Sequence, residues 1–238
     1  MTAHQQKLAR LAAALYLLLI PLGVFGILYM PEFIWVDGDS AATLVNIQHH
    51  SNTIRLSILA ALAIQITQLF LVVALFYLLR PFGNTLAGFM VLFTLATMPI
   101  AMLNELCRVA GLLILQSDSL PAVFSADQLN AAALFAFELH GDGIMIAHVF
   151  WGLWLMPMGV LVKRAEFFPK RLGAVVGILL IVGGVGYSLD TLTWFALGTD
   201  RYFIAHYTFI GEVLLPLMLL YCSVRSRPMA SAAAPATN

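Results

Sequence analysis

Eight ionisable side chains lie inside long apolar stretches of this sequence, where they could bind a proton, a cation or a polar ligand. They are five carboxylic acids, one arginine and two histidines: Glu105, Arg108, Glu138, His140, Asp142, His148, Asp190 and Glu212. Charged groups inside hydrocarbon are costly, so a membrane segment that carries them must face a polar interior. These residues predict a buried polar cluster that can bind a ligand or a proton.

The charges of this set do not balance. Five carboxylates face two guanidiniums, those of Arg108 and, at the rim, Arg55. Buried like charges cannot all ionise, so a carboxyl is protonated, a histidine is charged, or a bound cation compensates. Protonatable acids suit a proton-coupled carrier, and mixed histidine and carboxylate ligands suit zinc or manganese. A static hydrogen-bonded core that sets helix register is the third interpretation.

The evidence for a metal enzyme is weaker. His140 and His148 are eight residues apart, which places them about 80° apart around one helix, whereas a four-residue spacing puts two imidazoles on one face. His206 would complete a site only if two helices converge. No P-loop, serine elbow or dinucleotide motif is present. A membrane enzyme would use Glu138, Asp142 or Glu212 as its acid or base, and its cofactor is left open.

Composition indicates a membrane protein. Of 238 residues, 61% are hydrophobic and only 10% are charged, and the mean hydropathy is +0.93. A soluble domain carries about a quarter charged residues. The formal net charge is zero, which gives no indication of a nucleic-acid partner.

The elements that must position the eight side chains are apolar runs long enough to span a bilayer. The pattern predicts an all-α bundle of six transmembrane helices in one domain, 1–225, followed by a disordered tail, 226–238. The predicted spans are Leu8–Met30, Thr53–Leu79, Thr85–Leu115, a fourth from near Asp127 to Arg164, Leu172–Phe195 and Tyr202–Val224. A short interfacial helix, Ala41–His50, is expected after Asp37-Gly38-Asp39-Ser40, which predicts a turn followed by a helix N-cap.

The fourth span contains the largest share of the polar set. Its stretch Phe137–Arg164 carries four of the eight residues in its first half and a dense apolar run in its second half. On a helical wheel, one stripe holds His148 and three glycines: Gly141, Gly152 and Gly159. Small residues on a stripe let a neighbouring helix approach closely, so this face should pack against another span.

Topology follows from the positive charges. In the six-span arrangement nine of the twelve lysines and arginines share one side: Lys7, Arg10, Arg80, Lys163, Arg164, Lys170, Arg171, Arg225 and Arg227. The positive-inside rule puts this side and both termini in the cytoplasm. The loops Pro31–Asn52 and Gln116–Asn130 are then outside. The polar set lies in the outer half of an inner (plasma) membrane protein, except Glu212, which lies near the middle. Its partners would be the lipid bilayer and a small-molecule or cationic ligand, with oligomeric state open.

Two members of the set carry specific expectations. Arg108 should be the main counter-charge, near Glu105 and at least one of Glu138, Asp142 or Asp190. Glu212 is the deepest carboxyl, and Pro216 removes the helical partner of its carbonyl, so this position could bind a proton or cation. The alternative is an inert, hydrogen-bonded Glu212.

Several motifs along the chain resemble one bacterial family. They are Gly38-Asp39 with Ala41-Ala42-Thr43, Asn46-Ile47 and Arg55-Leu56; Phe150-x-Gly152-Leu153-Trp154-Leu155-x-Pro157-x-Gly159; Pro169-x₃-Gly173; Gly186-Tyr187-x₂-Asp190; and Gly211-Glu212. The chain resembles the integral membrane family catalogued as domain of unknown function 4386. The resemblance implies a six-span bacterial inner-membrane protein and supplies no activity, substrate or cofactor. A carrier or ligand-binding protein is favoured over an enzyme and over a structural or sensory protein.

Overall fold

The computed structural model describes residues 1–198 and 204–225, and every regular element in them is helical. The α-helices are α1 (Ala3–Gly23), α2 (Met30–Ile34), α3 (Ser40–His49), α4 (Ser51–Leu79), α5 (Asn84–Leu115), α6 (Ala126–Arg164), α7 (Lys170–Leu197), α8 (Ala205–Thr208) and α9 (Ile210–Arg225). A π-helical segment, Val24–Tyr29, joins α1 to α2. The predicted tail 226–238 and the start of the predicted sixth span lie outside the described residues.

Five helices in the described part of the chain are long and apolar enough to cross a membrane, and they match the first five predicted spans. The predicted sixth span instead contains α8 and α9, with a turn at Phe209 between them. At this turn the amide of Glu212 donates to the carbonyl of Phe209 (2.8 Å). With 16 residues, α9 extends about 24 Å, less than the roughly 30 Å of a hydrocarbon core. The predicted count of six is therefore not confirmed.

The long helices run alternately up and down, so the molecule has two distinct ends. At one end the ring of Phe82 contacts that of Phe167 (5.5 Å), and Arg10 Nη2 donates to the carbonyl of Ser223 (3.2 Å). We call this the basic end, because most of the lysines and arginines lie there. At the other, α3 end, Arg55 Nη2 donates to Gln116 Oε1 (2.6 Å).

Two apolar clusters fill the interior. The larger lies toward the basic end and includes Leu75, Leu78, Leu155, Met158 and Leu161, all fully buried. The smaller lies at the α3 end and consists of Met30, Ile34, Ile47, Ile54, Ile58, Leu112 and Phe137. Four of the eight polar residues are buried beside these clusters: Glu105, Arg108, His140 and Asp190.

Close packing of α6 on α7 confirms the predicted glycine face in part. A Cβ atom added to Gly152 would overlap the carbonyl oxygen of Gly184, and one added to Gly159 would overlap that of Gly177. The two helices approach closely because neither carries a side chain at these contacts. Gly141, predicted to share this stripe, is exposed with nothing near its Cβ position.

The predicted short helix after the first span is confirmed as α3. Gly38 has φ +72° at the preceding turn, and the Asp39 carboxylate accepts from the amide of Ala42 (2.9 Å) as its N-cap. Asn46 Nδ2 donates to the carbonyl of Ile34 (3.1 Å). Ile47 is fully buried. The segment α2–α3 therefore folds back over the α3 end of the bundle.

Candidate functional site

A buried ion pair on α5 forms the centre of the candidate site. Glu105 and Arg108 are three residues apart and so share a face of the helix. Arg108 Nε donates to Glu105 Oε2 (2.8 Å), and Nη2 contacts the same oxygen. Glu105 is 4% exposed and Arg108 is 5% exposed. The pairing of Arg108 with Glu105 predicted from the sequence is confirmed.

The second carboxylate oxygen of Glu105 faces α6. His140 Nε2 lies 3.3 Å from Glu105 Oε1. The residue before Glu105 also contacts α6: Asn104 Nδ2 donates to the carbonyl of His140 (2.8 Å) and fixes the two helices in register. Asn104 fits because residue 143 is glycine: a Cβ there would overlap the amide oxygen of Asn104.

The other side of the arginine binds two further elements. Arg108 Nη1 donates to Ser57 Oγ on α4 (3.0 Å) and to the carbonyl of Gly26 (3.4 Å). Gly26 lies in the π-helical segment, a type of irregularity found often at functional sites. We call this set of contacting groups the Arg108 network: Ser57, Glu105, Arg108, His140 and the Gly26 carbonyl. It joins four separate parts of the chain.

A small cavity of about 30 Å³ adjoins this network. Its polar lining is Arg108 and His140; the remaining lining is apolar, from Met30, Ile34, Trp35, Ile54 and Phe137. This volume admits a water molecule, since one needs roughly 10–15 Å³. Met30, Ile34 and Trp35 belong to the α2 segment and its end, so that segment closes the cavity.

A second polar group lies around Glu212 in the first turn of α9. Its two carboxylate oxygens accept hydrogen bonds from Tyr16 Oη of α1 (3.2 Å) and Tyr187 Oη of α7 (3.1 Å). Tyr16 is buried and stacks on Trp154 with ring centroids 6.2 Å apart. The Glu212 clasp, as we call Glu212 with Tyr16 and Tyr187, therefore holds three helices together.

His148 is close to the Glu212 clasp and not to His140. Its ring centroid lies 5.1 Å from that of Tyr187 and 5.0 Å from that of Trp151. The two α6 histidines therefore belong to different groups. Among the His, Cys, Asp and Glu side chains that the structure describes, no three converge as metal ligands. The side chain of His206, which the sequence offered as a third ligand, lies outside the described part.

The three remaining predicted residues have separate surroundings. Asp142 Oδ1 accepts from Trp194 Nε1 (2.8 Å). The buried carboxylate of Asp190 accepts from the backbone amides of Ile204 (2.6 Å) and Ala205 (2.9 Å), at the start of α8. Glu138 is exposed on α6.

These contacts give the acids separate partners and do not gather them in one shared cavity. Glu105 is paired with Arg108. Glu212 accepts from two phenols, Asp142 from one indole and Asp190 from two backbone amides. No ion pair joins Arg108 to a second carboxylate in the described part of the chain. That part of the Arg108 expectation is wrong, because the other buried acids have donors of their own and Glu138 is exposed.

Sequence reasoning missed two members of these groups. Ser57 is one hydroxyl in an apolar helix, and Tyr16 is one aromatic residue in an apolar run. Neither stands out by type, since both residues also occur as ordinary packing residues in spanning helices. Only their position on the buried faces of α4 and α1 could have identified them.

Comparison with known proteins identifies the family of this chain. Residues 11–222 match the family model described as Domain of unknown function (DUF4386). An "Uncharacterized protein" of Archaeoglobus fulgidus is 29% identical over 164 residues, covering 69% of this chain and 82% of the relative. No solved structure matches significantly. The family match spans nearly every helix described above, and the chain therefore belongs to the DUF4386 family.

Proposed function

We propose that the protein is a six-span plasma-membrane protein with both termini in the cytoplasm. In this arrangement α8 and α9 belong to the last span. The concentration of lysine and arginine at the basic end supports the orientation, through the positive-inside rule.

Cysteine labelling tests the orientation at two exposed sites, Glu166→Cys at the basic end and Asp118→Cys at the α3 end. Cys107 and Cys222 are first replaced by alanine. A membrane-impermeant maleimide added to intact cells should label position 118 and not position 166. Labelling of position 166 from outside would refute the proposed topology.

We further propose that the Arg108 network binds a small molecule at the α3 end. The observation that carries this proposal is the placement of Arg108 and His140 on the wall of a cavity closed by the α2 segment. A network that served only as internal glue has no need of a cavity on its polar side. Ionisable residues inside a membrane domain are most often functional.

The lining indicates the chemistry of the ligand. Arg108 presents donors and a fixed positive charge, and His140 presents a ring that can donate. All the other lining residues are apolar. A cation would be repelled by Arg108, so the cationic ligand expected from composition fits poorly. An apolar molecule with a carbonyl or carboxylate group fits best.

Binding of such a ligand should be linked to proton uptake. A ligand carboxylate at Arg108 would add negative charge beside Glu105 in a buried site, and protonation of His140 would restore neutrality. The other contacts of Arg108, the Ser57 hydroxyl and the Gly26 carbonyl, do not titrate in the ordinary pH range.

A ligand larger than water requires the α2 segment to move. This segment has only five residues, and it lies between the π-helical segment and the turn at Gly38. Trp35, at its end, lines the cavity, so its fluorescence should report the movement.

Three probes of one shape test the ligand class: benzoate, benzylamine and benzyl alcohol. In nanodiscs, benzoate should change tryptophan fluorescence saturably, and more strongly at pH 6 than at pH 8. Benzylamine should not. Trp35→Phe should remove the signal, and His140→Gln should remove the pH dependence while the protein stays folded.

Two results would count against this proposal. Equal responses to all three probes would show partition into the lipid rather than binding. A benzoate response that Trp35→Phe leaves intact would place the site elsewhere. In either case the Arg108 network would be a structural element.

A further inference from the structure

A second, larger cavity lies at the basic end, far from the Arg108 network. It is a groove of about 430 Å³ between the α6–α7 connection and the last turns of α9. Its lining is Phe167, Phe168, Pro169, Tyr221, Cys222 and Arg225. No part of the proposed α3-end site uses these residues.

One side chain gives this groove its charge. The exposed guanidinium of Arg225 lies over the ring of Tyr221, 5.4 Å from its centroid, and Nη1 contacts Tyr221 Oη. A guanidinium has five N–H donors, so this contact leaves others for a ligand. The aromatic ring sets the position of Arg225 at the groove wall.

The surroundings add further positive charge. Lys170 and Arg171 follow Pro169 directly, and both are exposed. Glu166 is the one acid in the α6–α7 connection. The groove therefore complements an anion, and the rings of Phe167 and Phe168 complement an apolar group attached to it.

The groove also continues onto the lipid-facing surface of the bundle. Three large apolar residues of α9 lie along one helical face and are exposed: Leu217, Tyr221 and Val224, at 49%, 45% and 76%. Tyr221 belongs both to this face and to the groove. An acyl chain could lie along this face while its headgroup occupies the groove at the ends of the helices.

We propose that this groove binds the headgroup of an anionic phospholipid. Arg225 donates to the phosphate, and the first methylene groups of an acyl chain pack against Phe167 and Tyr221. Basic pockets between membrane helices on the cytoplasmic side bind such headgroups. A free phosphate ester shares the anionic chemistry but would leave the apolar face of α9 unused.

A matched pair of arginines makes the test specific. Arg80 is also exposed at the basic end and also lies over a tyrosine, 4.8 Å from the ring centroid of Tyr77, but it does not line the groove. The variants Arg225→Gln and Arg80→Gln each remove one surface cation. Each should lose the generic attraction of one charge, roughly fivefold in affinity.

Native mass spectrometry of the purified protein with added phosphatidylglycerol measures the affinity directly. Arg225→Gln should weaken phosphatidylglycerol binding at least tenfold more than Arg80→Gln. Phosphatidylcholine should bind weakly to the parent and to both variants. Thermal melting with the same lipids confirms that each variant is folded.

The outcomes separate the alternatives. Equal losses in the two variants would reduce the effect to non-specific surface charge and overturn the proposal. Displacement of the lipid by glycerol 3-phosphate at equal concentration would assign the groove to a soluble anion, and would also overturn it. The proposal is supported if phosphatidylglycerol stabilises the parent and Arg80→Gln but not Arg225→Gln.

Discussion

Removal of the Arg108 guanidinium should be among the most damaging single changes in this protein. Arg108 and Glu105 are about 95% buried, so the Arg108→Met variant leaves a carboxylate in a protein interior without its cation. Breaking a buried ion pair by removing one partner costs about 3–5 kcal/mol. The hydrogen bonds to Ser57 and to the Gly26 carbonyl are lost as well. We expect a loss at the upper part of this range.

The double variant Glu105→Gln/Arg108→Met separates charge from shape. It removes both charges, and replacement of a whole buried pair by neutral residues is often close to neutral. It should therefore be more stable than Arg108→Met alone and recover more than half of the loss. The remaining deficit should be about 1 kcal/mol for each lost hydrogen bond.

Arg55→Met is the control at the same end of the molecule. Arg55 is exposed and contacts Gln116 rather than a carboxylate, so the change should stay within about 0.5 kcal/mol. Equilibrium unfolding by sodium dodecyl sulfate in mixed micelles measures all three variants. Equal losses for Arg108→Met and Arg55→Met, or a double variant no better than the single one, would refute the reasoning.

Five further variants, at four positions, test the packing around the two polar groups with the same unfolding assay. Gly143→Ala places a Cβ on the Asn104 amide and should lower the free energy of unfolding by about 1–3 kcal/mol. Gly141→Ala is the control, because the space around Gly141 is open. It should be neutral or stabilising by up to about 1 kcal/mol. Gly152→Ala should cost a similar 1–3 kcal/mol, because backbone of α7 lies at that position; a loss no larger than that of Gly141→Ala would contradict the close approach of the helices. Glu212→Gln keeps an acceptor for Tyr16 or Tyr187 and should cost about 1 kcal/mol of stability. Glu212→Leu leaves both hydroxyls unsatisfied and should cost at least about 2 kcal/mol. Equal losses would show that the phenols do not depend on Glu212.

Most boundaries of the long helices were predicted well because long apolar runs have one stable form in a bilayer. The exception is the first span, predicted as Leu8–Met30, where α1 ends at Gly23 and a π-helical segment and α2 follow. Each of the first five spans matches a helix, and α3 begins after Asp39 as its capping residue indicates. The last span was predicted less well. The turn at Phe209 depends on contacts of α8 and α9 with α7, where Gly211 meets the backbone of Leu180.

The composition of the candidate site was predictable only where partners are near in sequence. Glu105 and Arg108 share a helical face at a spacing of three, so their pairing follows from the helix alone. His140 and Ser57 join them from other helices. The rotation of α4 and α6 about their axes decides those contacts, and no local pattern records it.

The amino-acid sequence by itself determined the membrane class, the family, the first five spans and the pairing on α5, because hydrophobicity and helical spacing are local properties. Only the tertiary structure decided how the buried acids are satisfied. Counted along the chain, five carboxylates and two arginines indicated a shared acidic cavity. In the folded protein, phenol, indole and amide donors from distant helices satisfy Glu212, Asp142 and Asp190 one by one. Ionisable side chains can be counted from a sequence. Neutral hydrogen-bond donors stabilise a buried carboxyl group only where packing brings them within about 3 Å of it.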